Sequence, residues 1–242
     1  MLTQAEVEQY RRDGFLVVTN LLSEQEVERF VSYEAMQDPQ WRDRLDNHTR
    51  DPEWTRVAKH PRMVSIARQI LGQAPLIVQS MYLEKYPAAE GKGTAPHQDT
   101  HYLPNEPNTL MACWLAMSDT DGENGGLVVL PGSHTGGLLD THKATNLKDH
   151  QVWESEHLMR DREGKEWKQL FYSFEIDNLD RHRLLQLRVP AGSGVFFSGM
   201  TVHGSFGNRS RDRVRRAFAT HFVAQGTWLY RADVQSLVPA EY

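Results

Sequence analysis

A chain of 242 residues with 39% hydrophobic and 24% charged side chains has the make-up of a folded globular protein, which excludes a fibre or a disordered tract. Its net charge of −5, from 27 basic and 32 acidic residues, supplies no general attraction to nucleic acid or anionic membrane, so neither is expected as a partner. Cys113 is the only cysteine, which rules out an internal disulfide and a thiolate zinc site.

The opening segment, MLTQAEVEQYRRDG, is polar and helical in pattern rather than a leader, and no apolar run approaches the roughly 20 residues that span a bilayer. A cytoplasmic location is the expectation, and the sequons at Asn47 and Asn208 then carry no meaning. Residues 3–12 predict a short amphipathic helix stopped by Gly14, with Phe15–Val18 a strand after it. Ser23, with Glu26 three residues on, forms a capping box for a helix from Glu24 to about Met36, its apolar face Val27, Phe30 and Val31. Asp38-Pro39 ends it, and residues 40–58 give no assignment. Pro61 opens a further helix that runs to Leu71 before Gly72, with Met63, Ile66, Ala67 and Ile70 as its stripe.

From Pro75 the texture changes. Short strand-like runs separated by Gly, Pro, Asn and Asp follow at Leu76–Tyr86, Thr109–Met117, Gly126–Leu130, Leu184–Val189, Gly194–Ser198 and Arg216–Ala224. With few helices between them they predict a mainly β fold with flanking helices, a sandwich or barrel rather than a parallel α/β sheet. Residues 138–183 break the rhythm with many charges and little alternation, and are expected to be either a lid or a flexible excursion. The expected organisation is one domain over 1–242, with a helical part at about 1–74, a β core at about 75–226 and the insert inside it.

His97 and Asp99 are two residues apart, and on an extended chain such residues point the same way, so an imidazole and a carboxylate can meet one metal. His203, after the apolar run Val195–Phe197, stands at another expected strand end and can supply a third ligand. Two His and one carboxylate on one face of an octahedron leave three positions open, the arrangement of non-haem Fe(II) oxygenases. A bare His-x-Asp is common by chance, so the surroundings matter. Downstream lie five arginines between Arg209 and Arg216, then the apolar strand Ala217–Val223. A guanidinium there can pair bidentately with the distal carboxylate of a 2-oxoglutarate cosubstrate, while most of the five read as a solvated loop.

These residues carry a family resemblance. The segments Tyr10-Arg11-Arg12-Asp13-Gly14-Phe15-Leu16-Val17-Val18, His97-Gln98-Asp99-Thr100-His101-Tyr102, Trp114-Leu115-Ala116-Met117, Asn124-Gly125-Gly126 through Pro131-Gly132-Ser133-His134, His203-Gly204-Ser205, Arg215-Arg216-Ala217 and His221-Phe222 resemble, in order, the phytanoyl-CoA dioxygenase family of Fe(II)/2-oxoglutarate oxygenases. The resemblance implies a double-stranded β-helix (jelly-roll, cupin-like) core and an enzyme that uses Fe(II), 2-oxoglutarate and O2 to hydroxylate a small molecule, releasing succinate and CO2. It matches His97, Asp99 and His203 to the iron ligands, Arg215 to the arginine of the 2-oxoglutarate C5 carboxylate, Ser205 to a hydroxyl beside it, and Trp114 and Met81 to the walls of the cosubstrate pocket. The loop after His203 is one residue longer than the family pattern. Counting back from His221-Phe222 selects Arg215, counting forward from His203 selects Val214, and valine cannot hold a carboxylate. Arg216 is the fallback, because a strand alternates sides and one of the two arginines must face away. Asp99 stands where a halogenase has a small residue, so halogenation is not expected. His101 is open between a supporting partner, a substrate contact and a structural loop residue, and His134 reads as a turn residue. Two rival readings stay open: a cupin-type iron oxygenase that needs no 2-oxoglutarate, and a non-catalytic jelly roll that binds a ligand.

Overall fold

The computed structural model describes residues 1–42, 44–87, 92–145 and 150–241. The part before Pro75 is mostly helical: α1 (Gln4–Asp13), β1 (Phe15–Val18), α2 (Glu24–Glu34), α3 (Pro39–Arg42), α4 (Pro52–Ala58) and α5 (Pro61–Leu71). Thr3 and Ser23 each accept the N–H of the glutamate three residues on, whose carboxylate accepts the cap's own N–H, so both α1 and α2 start on complete capping boxes. Gly14 closes α1 at φ 78°, a left-handed angle that glycine takes without strain. α2 stops at Glu34, short of the Asp38-Pro39 expected to end it, and the unassigned 40–58 stretch contains α4, capped by Asp51.

The strands that follow are β2 (Pro75–Lys85), β3 (Thr94–His97), β4 (Asn105–Glu106), β5 (Met111–Ala116), β6 (Leu127–Val129), β7 (Thr141–Lys143), β8 (Glu154–Arg160) and β9 (Glu166–Tyr172). Then come β10 (Phe174–Ile176), β11 (Leu185–Gln186), β12 (Gly194–Ser198), β13 (His203–Ser205), β14 (Arg215–Ala224), β15 (Trp228–Leu229) and β16 (Val238–Pro239). A large antiparallel sheet runs β1-β12-β5-β14-β2-β16, and a smaller one runs β11-β6-β13-β3. The two sheets form the jelly roll that the sequence predicted.

Period-two alternation divides the large sheet's side chains between two cores. Met111, Cys113 and Leu115 of β5, Phe218 and Phe222 of β14 and Tyr82 of β2 face the helices, where they bury Phe30 of α2, Trp54 of α4 and Met63 of α5. Ala112, Trp114 and Ala116 of β5 and Ala217 and Ala219 of β14 face the other way, toward Leu127 and Val129 of the small sheet. Helices therefore cover one side of the large sheet, and the small sheet covers the other.

The insert is ordered rather than irregular. β8 and β9 form a hairpin in register from Glu154 opposite Tyr172 to Arg160 opposite Glu166, and β7 pairs with β10. The hairpin docks on the C-terminal segment, where the Arg160 N–H donates to the Tyr230 carbonyl (2.7 Å) and Met159 bridges to Arg231. Its alternation is hard to see in sequence because the exposed face is built from ion pairs such as Lys168–Glu156 and Arg160–Glu166. Residues 146–149 of the insert lie outside the described residues. No helix among the described residues is long and apolar enough to cross a membrane.

Phe218 is fully buried at the junction of sheet and helices, with ring centroids 5.2 Å from Phe30 and 5.1 Å from Trp54, both edge-on. Phe218→Ala should lower the free energy of unfolding by about 3–5 kcal/mol. Urea denaturation measures it, and a loss below about 1 kcal/mol would show that the helical layer collapses onto the sheet.

Candidate active site

His97 is the last residue of β3 and His203 the first of β13, and the two strands are paired with these residues directly opposite each other. His203 thus opens a strand of its own in the small sheet, where the sequence reading had it at the end of the run Val195–Phe197. Asp99 begins a 3-10 turn one residue beyond β3, after an extended Gln98. The three side chains converge: Asp99 Oδ1 lies 3.4 Å from His97 Nε2 and 3.6 Å from His203 Nε2, and one ligand atom from each residue lies within 4.8 Å of the other two.

Backbone carbonyls fix both imidazoles. His97 Nδ1–H donates to Ala95 O (2.8 Å) and His203 Nδ1–H to Thr201 O (3.0 Å), so each Nε2 is left facing the carboxylate. In the neutral imidazole that atom carries a lone pair. Two lone pairs and a carboxylate oxygen aimed at one point repel unless a cation or a proton lies among them. The donor set fits a divalent metal, and without one a proton takes its place. Burial lowers the pKa of His97, but the hydrogen bond and charge of Asp99 outweigh it and raise the net value, while burial holds His203 down at about 4. Burial also disfavours the Asp99 carboxylate, yet the charges of His203 and His221 and the hydrogen bonds from His221 and His97 hold its pKa well below the usual range. The group is ready to ligate: carboxylate ionised, imidazoles oriented through Nε2.

His221 was quoted in the sequence motif without a role. On β14 it shares the parity of Arg215, Ala217 and Ala219 and so turns inward, where Nε2–H donates to Asp99 Oδ2 (3.1 Å) and Nδ1 accepts from Gln79 Nε2 (3.4 Å). It holds one carboxylate oxygen and leaves the other for the histidines.

The proposed cosubstrate residues lie between the sheets. Met81, Ala219 and Trp114 stand in one row across β2, β14 and β5. Arg215 is the first residue of β14, 3% exposed, with its guanidinium 5.7 Å from the Trp114 ring centroid. Nη1 donates to the Leu83 carbonyl, Nε has no partner, and burial lowers the pKa to about 10. Arg216 points to the opposite face and pairs with Glu84 at 3.0 Å. Ser205 is buried on β13, but its hydroxyl is bound to Lys85, not to Arg215; Lys85 was not singled out in the sequence.

A cavity of about 370 Å3 opens beside His97 and Asp99. The insert supplies much of its wall through Trp153, Ser155, His157, Ser173 and Phe174. Tyr102 stacks on Phe174 (4.9 Å) and leans on Trp153 (5.2 Å), giving an aromatic panel. Met81 lines the cavity, and Arg215, Ser205 and Trp114 do not. His101 donates to Leu139 O (3.1 Å) and packs against Phe174, tying the metal loop to the start of the insert. His134 donates to the carbonyl of Arg11 in a 3-10 turn, far from the metal ligands in role, as a turn residue should be.

Comparison with known proteins agrees with this geometry. The family model described as phytanoyl-CoA dioxygenase (PhyH) matches residues 10–217. The chain belongs to the phytanoyl-CoA dioxygenase family. It is thereby a non-haem iron, 2-oxoglutarate-dependent oxygenase in class. Mouse peroxisomal phytanoyl-CoA dioxygenase is 29% identical over 251 residues, a match taking in 92% of this chain and 68% of that protein. Bovine phytanoyl-CoA dioxygenase domain-containing protein 1 is 34% identical over 187 residues, 77% of this chain and 58% of that protein. Among solved structures, the epimerase SnoN in complex with Fe3+, alpha ketoglutarate and nogalamycin RO superposes with a TM-score of 0.69 at 21% identity, covering 94% of this chain and 85% of that one, a likeness of fold.

His221→Ala should weaken Fe(II) binding by about 10–100-fold while the chain stays folded, because Asp99 loses the donor that orients it. Anaerobic metal titration reads this, and unchanged affinity would show that Asp99 is held by its remaining contacts alone.

Proposed function

We propose that this family member hydroxylates an unactivated C–H bond of a small molecule seated in the cavity beside His97 and Asp99, converting 2-oxoglutarate to succinate and CO2. In this reading residues 1–242 act as one catalytic unit, His97, Asp99 and His203 hold Fe(II), and Arg215, Ser205, Trp114 and Met81 form the cosubstrate pocket. The observation that carries it is Arg215, a guanidinium buried on the inner face of the barrel with no acid beside it among the described residues. A buried charge is stable only when paired, and the C5 carboxylate of 2-oxoglutarate is the partner that this chemistry brings. The same observation speaks against the iron oxygenase without 2-oxoglutarate and against the binding-only jelly roll.

When bound, the iron activates O2 for attack on the substrate. The protein's own part is placement. His97 and His203 present Nε2 and Asp99 presents Oδ1 on one side, leaving the cavity side for cosubstrate and substrate. Trp153, Phe174 and Tyr102 offer a flat apolar surface beside the metal ligands, and Ser155, His157, Ser173 and Gln151 offer hydrogen bonds. Arg231 also lines the cavity but is already paired with Asp233 at 2.5 Å, so it presents no unspent charge. That lining suits an uncharged molecule with a flat apolar body and a polar end.

A screen for succinate release dependent on substrate, run with Fe(II) and 2-oxoglutarate, tests the reaction, and Asp99→Ala should abolish turnover. Arg215→Ala should weaken 2-oxoglutarate binding by about 3 kcal/mol, on the order of a hundredfold, with metal binding retained. Arg216→Ala should change it little, since Arg216 is spent on Glu84. Two unaffected arginine variants in an anaerobic 2-oxoglutarate titration would remove the cosubstrate from the reading. Trp153→Ala should raise the substrate KM by about tenfold and leave 2-oxoglutarate affinity alone; an equal loss of both would assign Trp153 a purely structural part.

A further inference from the structure

Lys85 is the second buried cation of the barrel interior. It is the last residue of β2, 6% exposed, and stands directly opposite Arg215 across the β2–β14 pair. It shares the inward parity of Met81 and Leu83. Its Nζ donates to Ser205 Oγ (2.6 Å) and to Phe206 O (2.9 Å). Arg215 is the charged side chain that acts on it, and no carboxylate lies within ion-pair distance of either cation among the described residues. Glu84, the nearest acid in sequence, is on the other face and is taken by Arg42 and Arg216.

Two positive side chains side by side, buried and without an acid, make an unstable arrangement for a protein to keep for its own sake. The hydrogen-bond count sharpens this. A neutral amine has two N–H donors, and Ser205 and Phe206 use both. A protonated amine has a third, for which the described residues offer no acceptor. Burial, and after it the charge of Arg215, lowers the Lys85 pKa to about 6, which favours the neutral amine beside Arg215 as pH rises above that value.

We infer that Lys85 is a second anchor for the distal carboxylate of 2-oxoglutarate, beside Arg215, and that the amine takes up a proton from solvent as the cosubstrate binds. The inference rests on the cosubstrate reading above. The arriving carboxylate supplies both the missing acceptor and the compensating charge, so the third N–H forms when it can be used. Ser205 then serves the site by orienting Lys85, which explains why its hydroxyl meets the lysine and not the arginine. The linkage has a definite sign. An amine whose pKa rises on binding makes affinity fall as pH climbs from about 6 toward the raised value, by up to tenfold per pH unit.

The test is calorimetric titration of 2-oxoglutarate into the anaerobic Fe(II)-loaded protein at pH 7.5, in two buffers of different ionisation enthalpy. The wild-type protein should take up close to one proton per 2-oxoglutarate bound, a readout that requires no variant. Lys85→Met should bind on the order of 10–100-fold more weakly, with proton uptake near zero. Wild-type binding without proton uptake would overturn the inference, as would a folded Lys85→Met that binds with unchanged affinity and uptake. Arg215→Ala separates the two readings. If it loses 2-oxoglutarate while Lys85→Met does not, the lysine inference alone fails; if neither variant loses it, the cosubstrate reading fails with it.

Discussion

Asp99 sits in surroundings that would neutralise a carboxylate left to itself, and the site's geometry follows from how that is prevented. One oxygen receives the Nε2–H of His221, whose other nitrogen is steadied by Gln79. The other oxygen is turned toward His97 and His203, whose Nδ1–H groups are committed to the carbonyls two residues before them. Each imidazole can therefore meet Asp99 only through Nε2. With neutral rings the point between these atoms is a focus of negative potential. The raised pKa of His97 is the response of the protein alone, a proton in place of a metal. A divalent ion would do the same work with all three groups at once.

The barrel extends this logic to its other end. On β5 and β14 the side facing the helices carries Met111, Leu115, Phe218 and Phe222, whereas the inner side carries Ala112, Ala116, Ala217 and Ala219. Large residues pack against the helical layer, and small ones stand beside Trp114 on the inner face. Arg215 and Lys85 close that interior with charge. The helix-covered face carries the large apolar side chains, and the inner face carries charged groups that are poor for stability.

Much of this was legible in the sequence, for reasons that can be named. The capping box at Ser23 is local chemistry, so the start of α2 was readable, whereas α2 ends at Glu34, ahead of the Asp38-Pro39 expected to stop it. Alternation in β14 required one of Arg215 and Arg216 to face away, and only the family spacing back from His221-Phe222 favoured Arg215 as the inward one. His221 shares the parity of Arg215, and Lys85 that of Met81, so parity could have found both as inward residues; nothing local says that a histidine 122 residues further along the chain meets Asp99. The hairpin in the insert stayed hidden because its exterior is charged and its inward positions, such as His157 and Met159, are few. The convergence of His97 and His203 is a property of β3–β13 pairing, which links residues far apart in the chain.

Charge is treated in opposite ways on the two sides of the metal ligands. In the cavity Arg231 is compensated by Asp233, and its Nη1 is bound to the Tyr102 carbonyl, so this arginine has its charge matched. Between the sheets Arg215 and Lys85 lack any such partner among the described residues. On the reading proposed above, a dianionic 2-oxo acid would meet a preference for one orientation, distal carboxylate toward Arg215 and Lys85 and keto-acid end toward His97, Asp99 and His203. A molecule without charge would feel no comparable pull toward Arg215 and Lys85 and would be left to the rings of Tyr102, Trp153 and Phe174. Such a separation would keep small molecules of different charge in different seats, because the wrong occupant would leave the buried Arg215 guanidinium unmet.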